Sequence, residues 1–457
     1  MNELLNKIDL TNLEKTKFLG YEQLNSQSKV IGLFDEKGSK VKKLSGHGYV
    51  IFDQTPFYAI SGGQDSDQGE MVFKKNRFNI MDVRKDIVLG YFIHEVNLNN
   101  QSIEVEDIVD LEVNKEFRYN SSLNHSALHI TWQTILNHVG YYVEELGSKL
   151  NNDRYQLQFC NDDKITPQLV LEVVNEINQK IIPENVKSKI FFVTQEEAHE
   201  KNYLFEFTKI NPGEMVRMVE FPKIVIEPCS GTHANNTKEL KQVWFMNYSK
   251  NNKAVIIDMT TNKLVADNYF ENKLTNRFAE ILNQIKKAVD LGMNHNFKDQ
   301  IDACQKLTSQ WNYLAVRELN EIGLQITALI NKYLKNLEQE SIKNFLSQEF
   351  KPKIIKDKFH YYQTADENYT NKLLISKASI LANENPNNVI VFANQVQASS
   401  NVVLVCNQKA DFNIKNWYEK NLADQSSFKG GGGPLIIQLF SSIKEDFDKI
   451  IPALEKD

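Results

Sequence analysis

Long apolar segments are missing from this sequence. No run reaches the about 18 consecutive apolar residues that a membrane-spanning helix needs. The first residues, MNELLNKIDLTNLEKTKF, also lack the apolar stretch of a secretory signal peptide. We therefore expect a protein that makes no membrane contact and works in the cytoplasm.

Cysteine is scarce as well, and its positions follow no regular spacing. The chain of 457 residues has four cysteines, which are Cys160, Cys229, Cys304 and Cys406. This usage excludes a disulfide scaffold, but it leaves open a thiolate ligand for a metal ion.

A strong charge of one sign is also lacking. The formal net charge is -6, so any contact with RNA must come from a local patch rather than from the overall field. A hydrophobic content of 41% and a charged content of 25% are ordinary for a soluble globular chain. The length exceeds what one hydrophobic core supports, and we expect about two to four domains.

The pattern of short apolar runs and turn residues predicts an α+β multidomain fold. Runs such as KVIGLFD, GYVIF and SIEVEDIVDLEV, separated by turn signals, predict a small β-barrel near the N-terminus. Strands and helices then alternate, a long helical section follows, and the last part returns to α/β character. The predicted parts are a β-barrel with a glycine-rich motif (1–112), an α+β domain (113–262), a helical hairpin (263–350) and a C-terminal α/β domain (351–457).

Two stretches of the predicted helical section have apolar residues at steps of three and four. They are Leu274, Phe278, Ile281, Ile285 and Ala288, and then Leu319, Ile322, Ile326, Leu329 and Tyr333. Such spacing is typical of amphipathic helices that pair as a coiled-coil-like hairpin, or of two ordinary helices in a compact bundle. The sequence leaves open whether the apolar faces pack within one chain or form a homodimer.

The segment SSLNHSALHITWQTILNHVG predicts a helix that carries two histidines on one face. Ser121, Ser122 or Asn124 can cap its start, and Gly140 or Gly147 can end it. His125 and His129 lie four residues apart within this segment, so both imidazoles leave the same side of the helix about one turn apart.

A second candidate pair of metal ligands lies in the segment EPCSGTHANNT. Cys229 and His233 are separated there only by small residues, which suits a turn that aims both side chains at one point. Together with His125 and His129 they supply three imidazoles and one thiolate, a donor set that suits tetrahedral Zn²⁺. Either a closed structural site or a catalytic site that polarises a carbonyl is consistent with this set.

These motifs resemble those of a known family. HSALH is similar to the HxxxH motif, and EPCSGTHANNT to the Cys-Gly-Gly-Thr-His motif, of alanyl-tRNA synthetase editing domains and of freestanding alanyl-tRNA editing proteins. The segment VIFDQTPFYAISGGQDSDQGEM resembles the barrel of the bacterial synthetase, and KGGGGP resembles its C-terminal domain. The resemblance covers nearly the whole chain and corresponds to the half of the synthetase that follows the aminoacylation half.

The resemblance implies an activity and a set of site residues. Family members hydrolyse the ester of alanine tRNA mischarged with serine or glycine, because a binding site for a small side chain rejects such neighbours poorly. By resemblance, His125, His129, Cys229 and His233 hold Zn²⁺. The residues implied near the substrate are Gly62, Gly63 and Gln64, and those implied at the tRNA are Lys429, Gly430, Gly431, Gly432 and Gly433.

Two positions depart from the family pattern close to the expected site. Leu128 stands where the family usually has a threonine, so a hydroxyl at the expected substrate position is lost. Glu145 stands where the family usually has a glutamine, which makes this carboxylate a candidate catalytic base.

Three hypotheses follow from the sequence. The first is an aminoacyl-tRNA deacylase that removes a wrong amino acid from tRNA(Ala). The second is one half of a divided or truncated alanine–tRNA ligase that works beside a separate aminoacylating subunit. The third is a tRNA-binding module that keeps the fold and the metal but has no catalytic activity.

Overall fold

The structure is a computed structural model, and the chain divides into two compact units, residues 1–327 and 328–457. It describes residues 8, 10, 13–86, 90–201, 203, 215–367, 369–397 and 399–456. The predicted α+β multidomain class with a small β-barrel is confirmed. The finer division into four parts stays a prediction.

A closed antiparallel barrel forms the first part of unit 1. Its six strands are β2 (Asn25–Asp35), β3 (Lys43–Phe52), β5 (Gly69–Phe73), β6 (Asn76–Lys85), β7 (Phe92–Glu104) and β8 (Ile108–Val113). They pair in the order β2-β3-β7-β6-β5-β8, and a short parallel pair, β1 (Lys17–Phe18) with β4 (Gln54–Thr55), lies beside them. Alternate residues such as Phe78 and Ile80 point inward and are buried, as the two-residue period of a strand requires.

A long helix, α1 (Lys115–Val139), follows the barrel directly. The predicted N-terminal caps Ser121, Ser122 and Asn124 are wrong. The helix begins earlier because the side chain of Asn114 accepts a hydrogen bond from the backbone N–H of Phe117 at 3.0 Å. The predicted stop at Gly140 is confirmed, since this residue has a φ of 86° and closes the helix in the left-handed conformation.

Two antiparallel sheets complete the α+β part of unit 1. The four-stranded sheet, in the order β14-β15-β10-β9, contains β9 (Glu145–Leu150), β10 (Tyr155–Cys160), β14 (Trp244–Lys250) and β15 (Ala254–Thr260). The three-stranded sheet contains β11 (Lys189–Val193), β12 (Val216–Phe221) and β13 (Val225–Pro228). The helices here are α2 (Pro167–Glu176), which continues as a π turn (Ile177–Ile181), α3 (Gln195–Glu200) and a 3-10 turn (Thr237–Leu240).

The helical section, residues 263–350, contains four α-helices instead of the two of the hairpin that the sequence predicted. Its elements are α4 (Lys263–Phe270), a π turn (Glu271–Asn276), α5 (Arg277–Asp290), α6 (Lys298–Leu307) and α7 (Tyr313–Ser347). Helix α6 was missed because few of its residues are apolar. Within unit 1, α5 and α7 meet where Gly323 faces Ile281 and where Thr327 hydrogen-bonds Gln284 at 3.0 Å.

Unit 2 contains a six-stranded sheet in the order β16-β17-β18-β19-β21-β20, in which only β17 and β18 pair in parallel. The strands are β16 (Lys353–Ile355), β17 (Phe359–Thr364), β18 (Val389–Val396), β19 (Ser399–Cys406), β20 (Lys429–Gly432) and β21 (Ile436–Ser441). The helices are α8 (Asn371–Glu384), α9 (Ile414–Asn421), α10 (Lys444–Asp448) and α11 (Ile450–Lys456), with 3-10 turns at Gln408–Ala410 and Ala423–Gln425.

Membrane-spanning helices were searched for in the described part of the chain. No helix there combines the length and the apolar character that crossing a bilayer requires.

Candidate metal centre

Four side chains from two distant segments converge in unit 1. The potential ligand atoms of His125, His129, Cys229 and His233 all lie within 4.8 Å of one another. The Cys229 Sγ is 3.3 Å from the Nε2 of His125 and 3.3 Å from the Nε2 of His233. The convergence that the sequence predicted is therefore present.

Helix α1 and the turn after β13 position these side chains. The imidazoles of His125 and His129 stack with ring centroids 4.9 Å apart and an interplanar angle of 9°, as one helix face and a spacing of four residues dictate. Gly231 lies directly against the His125 ring, where a Cβ atom would overlap the imidazole. A glycine is therefore required in this turn for close approach of the backbone to the ring.

Each imidazole has a hydrogen-bond partner on its Nδ1 atom. The partners are Gln64 Oε1 for His125 at 2.8 Å, Glu227 Oε2 for His129, and Ser126 Oγ for His233 at 3.2 Å. Because Gln64 Oε1 and a carboxylate only accept hydrogen bonds, His125 and His129 carry their proton on Nδ1. Their Nε2 lone pairs consequently face the centre of the cluster, which is the orientation that a metal ligand needs.

The cluster favours a thiolate at Cys229. Burial opposes ionisation of this thiol, but the surrounding imidazoles, led by His125, hold its pKa well below the usual range. The backbone N–H of Gly231 also donates to the sulfur at 3.3 Å. A thiolate is the form in which cysteine binds metal ions.

The histidines of the cluster differ in charge state. Burial disfavours the charged form of His129, but the Glu227 carboxylate raises its pKa well above the usual range. Burial, helped by the neighbouring His125, lowers the pKa of His233 to about 3. Protons therefore compete with a metal ion more strongly at His129 than at His233.

The residues present fit a zinc ion. Within the described residues the Nε2 of His129 is buried and has no hydrogen-bond partner, although a buried polar atom is costly to leave unsatisfied. Two more imidazole nitrogens and one sulfur surround the same point. A set of three nitrogens and one thiolate suits Zn²⁺ in tetrahedral coordination.

The glycine-rich segment of the barrel reaches the cluster through Gln64. Gly62 and Gly63 have φ angles of 56° and 80°, so the chain turns sharply in the left-handed region just before Gln64. Gln64 is fully buried, and its Nε2 donates to the Thr232 hydroxyl at 3.0 Å while its Oε1 accepts from the Thr232 backbone N–H at 3.0 Å. This side chain thus links the barrel, α1 and the cysteine turn.

A buried ion pair fixes α1 against the barrel. The Arg118 Nε donates to the Asp67 carboxylate at 2.9 Å, and the other nitrogens of Arg118 donate to the carbonyls of Gly20 at 2.5 Å and Pro56 at 2.8 Å. Because both charges are buried, loss of either partner would leave an uncompensated charge. The pair joins the first turn of the histidine helix to the same segment that carries Gln64.

The remaining predicted site residues have varied surroundings. Leu128 is 3% exposed and is part of the apolar core, so its side chain belongs to the packing of α1. Glu145 begins β9, is half-buried and lies opposite Phe159 on β10. The roles assigned to Leu128 and Glu145 stay predictions.

The predicted RNA-contacting residues lie in unit 2. Lys429, Gly430, Gly431 and Gly432 form β20, which is an exposed edge strand, and Gly433 follows it. An isolated run of glycines is more often a flexible loop, but here it pairs in register with β21. The RNA-binding role of these five residues stays a prediction.

Sequence reasoning missed the residues that orient the ligands. Ser126 lies between the two helical histidines, and its hydroxyl also accepts from the Ala234 backbone N–H at 2.9 Å. Glu227 lies only two residues before Cys229 in the same quoted segment. Its position was a usable signal, because β13 runs directly into the cysteine turn, but its partner on α1 could not be identified without the fold.

Two families of tRNA synthetase domains match parts of this chain. The family described as tRNA synthetases class II (A) matches residues 2–117. The family described as threonyl and alanyl tRNA synthetase second additional domain matches residues 216–256, a segment that contains Cys229 and His233. The chain is thus related to tRNA synthetases at both the barrel and the cysteine turn.

The similar individual proteins are alanine–tRNA ligases. An alanine–tRNA ligase from Mycoplasmopsis pulmonis is 29% identical over 454 residues, which cover 97% of this chain and 49% of the relative. One from Coxiella burnetii is 35% identical over 228 residues, which cover 50% of this chain and 26% of the relative. The predicted resemblance to alanyl-tRNA synthetase is confirmed, and the chain spans about half the length of the curated relatives that it matches along its whole length.

Solved structures give a weaker likeness. The C-Ala domain from Aquifex aeolicus alanyl-tRNA synthetase covers 23% of this chain and 96% of that chain, at 19% identity and a TM-score of 0.20.

Proposed function

We propose that this chain is a zinc-dependent aminoacyl-tRNA deacylase that hydrolyses the ester of tRNA(Ala) mischarged with serine or glycine. The observation that carries the proposal is the convergence of three imidazoles and one thiolate within 4.8 Å. The relationship to alanine–tRNA ligases supports the choice of substrate. Editing by a second site is needed wherever binding alone cannot discriminate between small side chains.

The residues of the cluster would each have a defined task. His125, His129, Cys229 and His233 would hold the ion, and Gln64 and Glu227 would keep the first two imidazoles turned towards it. When bound, zinc supplies a Lewis acid that polarises an ester carbonyl or lowers the pKa of water.

Two further groups would act on the substrate side. Gly62 and Gly63, which form a sharp turn without side chains just before Gln64, would let the aminoacylated end of the tRNA approach the backbone. Glu145, at the start of β9, would accept a proton from the attacking water. In unit 2, Lys429 and Gly430–Gly433 would contact the tRNA backbone, because exposed backbone N–H groups and a lysine suit phosphate.

A second candidate function is an editing half that works with a separate aminoacylating subunit. It is favoured by one observation, namely that the alignment covers 49% of a relative that is named as a ligase. Under this candidate the cluster keeps the same chemistry, and deacylation rises when the aminoacylating subunit is added. Co-purification of such a subunit with the full chain would support it.

Deacylation of tRNA(Ala) charged with serine, glycine or alanine tests the proposal. We expect the full chain to release serine or glycine faster than alanine, and Cys229→Ala to lose both zinc and activity because the thiolate ligand is gone. Cys160→Ala is the matched control, since Cys160 lies on β10, is not one of the four clustered residues and forms no disulfide. Hydrolysis of all three substrates at the rate measured without protein would refute the proposal. Tight tRNA binding with zinc but without hydrolysis would select the non-catalytic module instead.

A further inference from the structure

A pair of planar side chains is attached to the rim of the metal cluster. The ring of Tyr21 is covered by the guanidinium of Arg217, whose central carbon lies 4.2 Å from the ring centroid. Tyr21 is nevertheless 46% exposed, so the pair presents an accessible planar surface. We call Tyr21 and Arg217 the rim pair.

The rim pair is held by the residues that carry the thiolate. The Tyr21 hydroxyl donates to the Ser230 carbonyl at 2.6 Å, and one Arg217 nitrogen donates to the Cys229 carbonyl at 2.6 Å and to the Gly231 carbonyl at 3.1 Å. Both planar groups are therefore hydrogen-bonded to residues at or next to a metal ligand. Their positions are fixed before any ligand arrives, which lowers the entropy cost of binding.

The Arg217 guanidinium is bound by backbone carbonyls, and among the described residues no carboxylate forms an ion pair with it. Its known hydrogen bonds go to backbone carbonyls, which leave the positive charge in place. On the neighbouring strand, Phe192 lies opposite Arg217 in the β11–β12 register and is 56% exposed. Directly opposite residues of an antiparallel pair point to the same face, so the exposed Phe192 side chain leaves the sheet on the same face as Arg217.

An arginine that stacks on one aromatic ring and shares a sheet face with another is suited to binding a nucleotide. Unpaired bases stack on aromatic rings and on guanidinium planes, and a phosphate accepts charge-assisted hydrogen bonds from arginine. We infer that the rim pair binds the terminal nucleotide of a single-stranded RNA end, with the base on the planar surface and the adjacent phosphate on Arg217. This inference rests on the proposed function, because it brings the ester of an aminoacylated end to the metal cluster.

Steady-state deacylation tests the inference, with variants that remove the base contact and the charge separately. We expect Tyr21→Ala and Arg217→Gln to raise KM by about tenfold with little change in kcat, since stacking on an aromatic ring is worth about a factor of ten or more in affinity. Tyr21→Phe keeps the ring and loses only the hydrogen bond to Ser230, so its KM should rise less. Arg317→Gln on α7, which removes an exposed arginine paired with Glu321, is the matched control and should leave KM unchanged.

Binding of an uncharged RNA minihelix that ends in a single strand gives a second readout, which does not require catalysis. We expect Arg217→Gln to weaken this binding and to make it less sensitive to salt, because one phosphate contact is lost. Zinc content and thermal stability are measured on the same samples.

The outcomes separate the inference from the proposed function. Unchanged KM and unchanged minihelix affinity in an active protein would overturn the inference alone. Loss of zinc or of kcat in Tyr21→Phe would also overturn it, since the rim pair would then merely support the turn. If the wild type has no deacylase activity, the proposed function fails, and equal minihelix affinity of wild type and Arg217→Gln would overturn the inference as well.

Discussion

The metal cluster and strand β20 are both unusual stretches of the sequence, but different forces determine their structures. In the cluster, the structure is determined by side chains, because each of the three imidazoles and the thiol has a specific hydrogen-bond partner. In β20 the residues Gly430–Gly432 have no side chains, and the strand is defined only by its backbone pairing with β21. A site built from side chains can be recognised in a sequence, whereas a strand built from glycines cannot.

Glycine itself has opposite roles in the two regions, which allows a direct test. A Cβ at Gly231 would overlap the His125 imidazole, while a Cβ at Gly431 would meet nothing within 4 Å. We expect Gly231→Ala to lower zinc affinity by about 100-fold, because the displaced imidazole no longer faces the ion. Competition with a chromophoric chelator measures this affinity.

Gly431→Ala is the matched control for that experiment. Its zinc affinity should equal that of the wild type, because its strand lies in the other unit. Equal zinc affinity in both alanine variants would show that the turn adapts to a larger residue, and the contrast between the two regions would disappear.

The next test concerns the partners that orient the ligands. We expect Glu227→Ala to lower zinc affinity by about 10- to 100-fold, because groups that hydrogen-bond to metal-ligating histidines contribute to this degree. Glu220→Ala on β12 is the control, since that carboxylate pairs with the exposed Lys189 at 3.9 Å. A similar affinity in both variants would mean that His129 is oriented by packing alone.

The smallest expected effect lies within β20. A Cβ at Gly432 would overlap the Ile436 carbonyl, so we expect Gly432→Ala to lower the local stability of β20 and β21 by about 1–3 kcal/mol. Gly431→Ala should change it by less than about 0.5 kcal/mol. Hydrogen exchange of the β21 amides in the full chain measures both values. Equal protection in the two variants would show that the strand is not held by close backbone packing.

Parts of the fold could be predicted because they leave a pattern in the sequence. The spacing of His125 and His129 determines their common helix face, and the alternating residues of the barrel strands give a two-residue period. The start of α1 was placed too late because Asn114, the residue that caps it, stands before a polar stretch without helical periodicity. Helix α6 was missed because few of its residues are apolar.

The partners of the metal ligands could not be predicted from spacing. Gln64 belongs to the barrel part and meets His125 across its contact with α1, where the buried pair of Arg118 and Asp67 also lies. Such contacts depend on how two folded parts pack against each other. The residues next to them in the sequence do not indicate that packing. The same holds for the rim pair, since Tyr21 and Arg217 lie far apart in the sequence.

X-ray absorption at the zinc edge of the purified full chain tests the central claim most directly. The account predicts about one zinc ion per chain, with one sulfur neighbour at about 2.3 Å and three nitrogen neighbours at about 2.0 Å. Zinc without a sulfur neighbour, or a chain that retains no zinc after purification in its presence, would contradict the account.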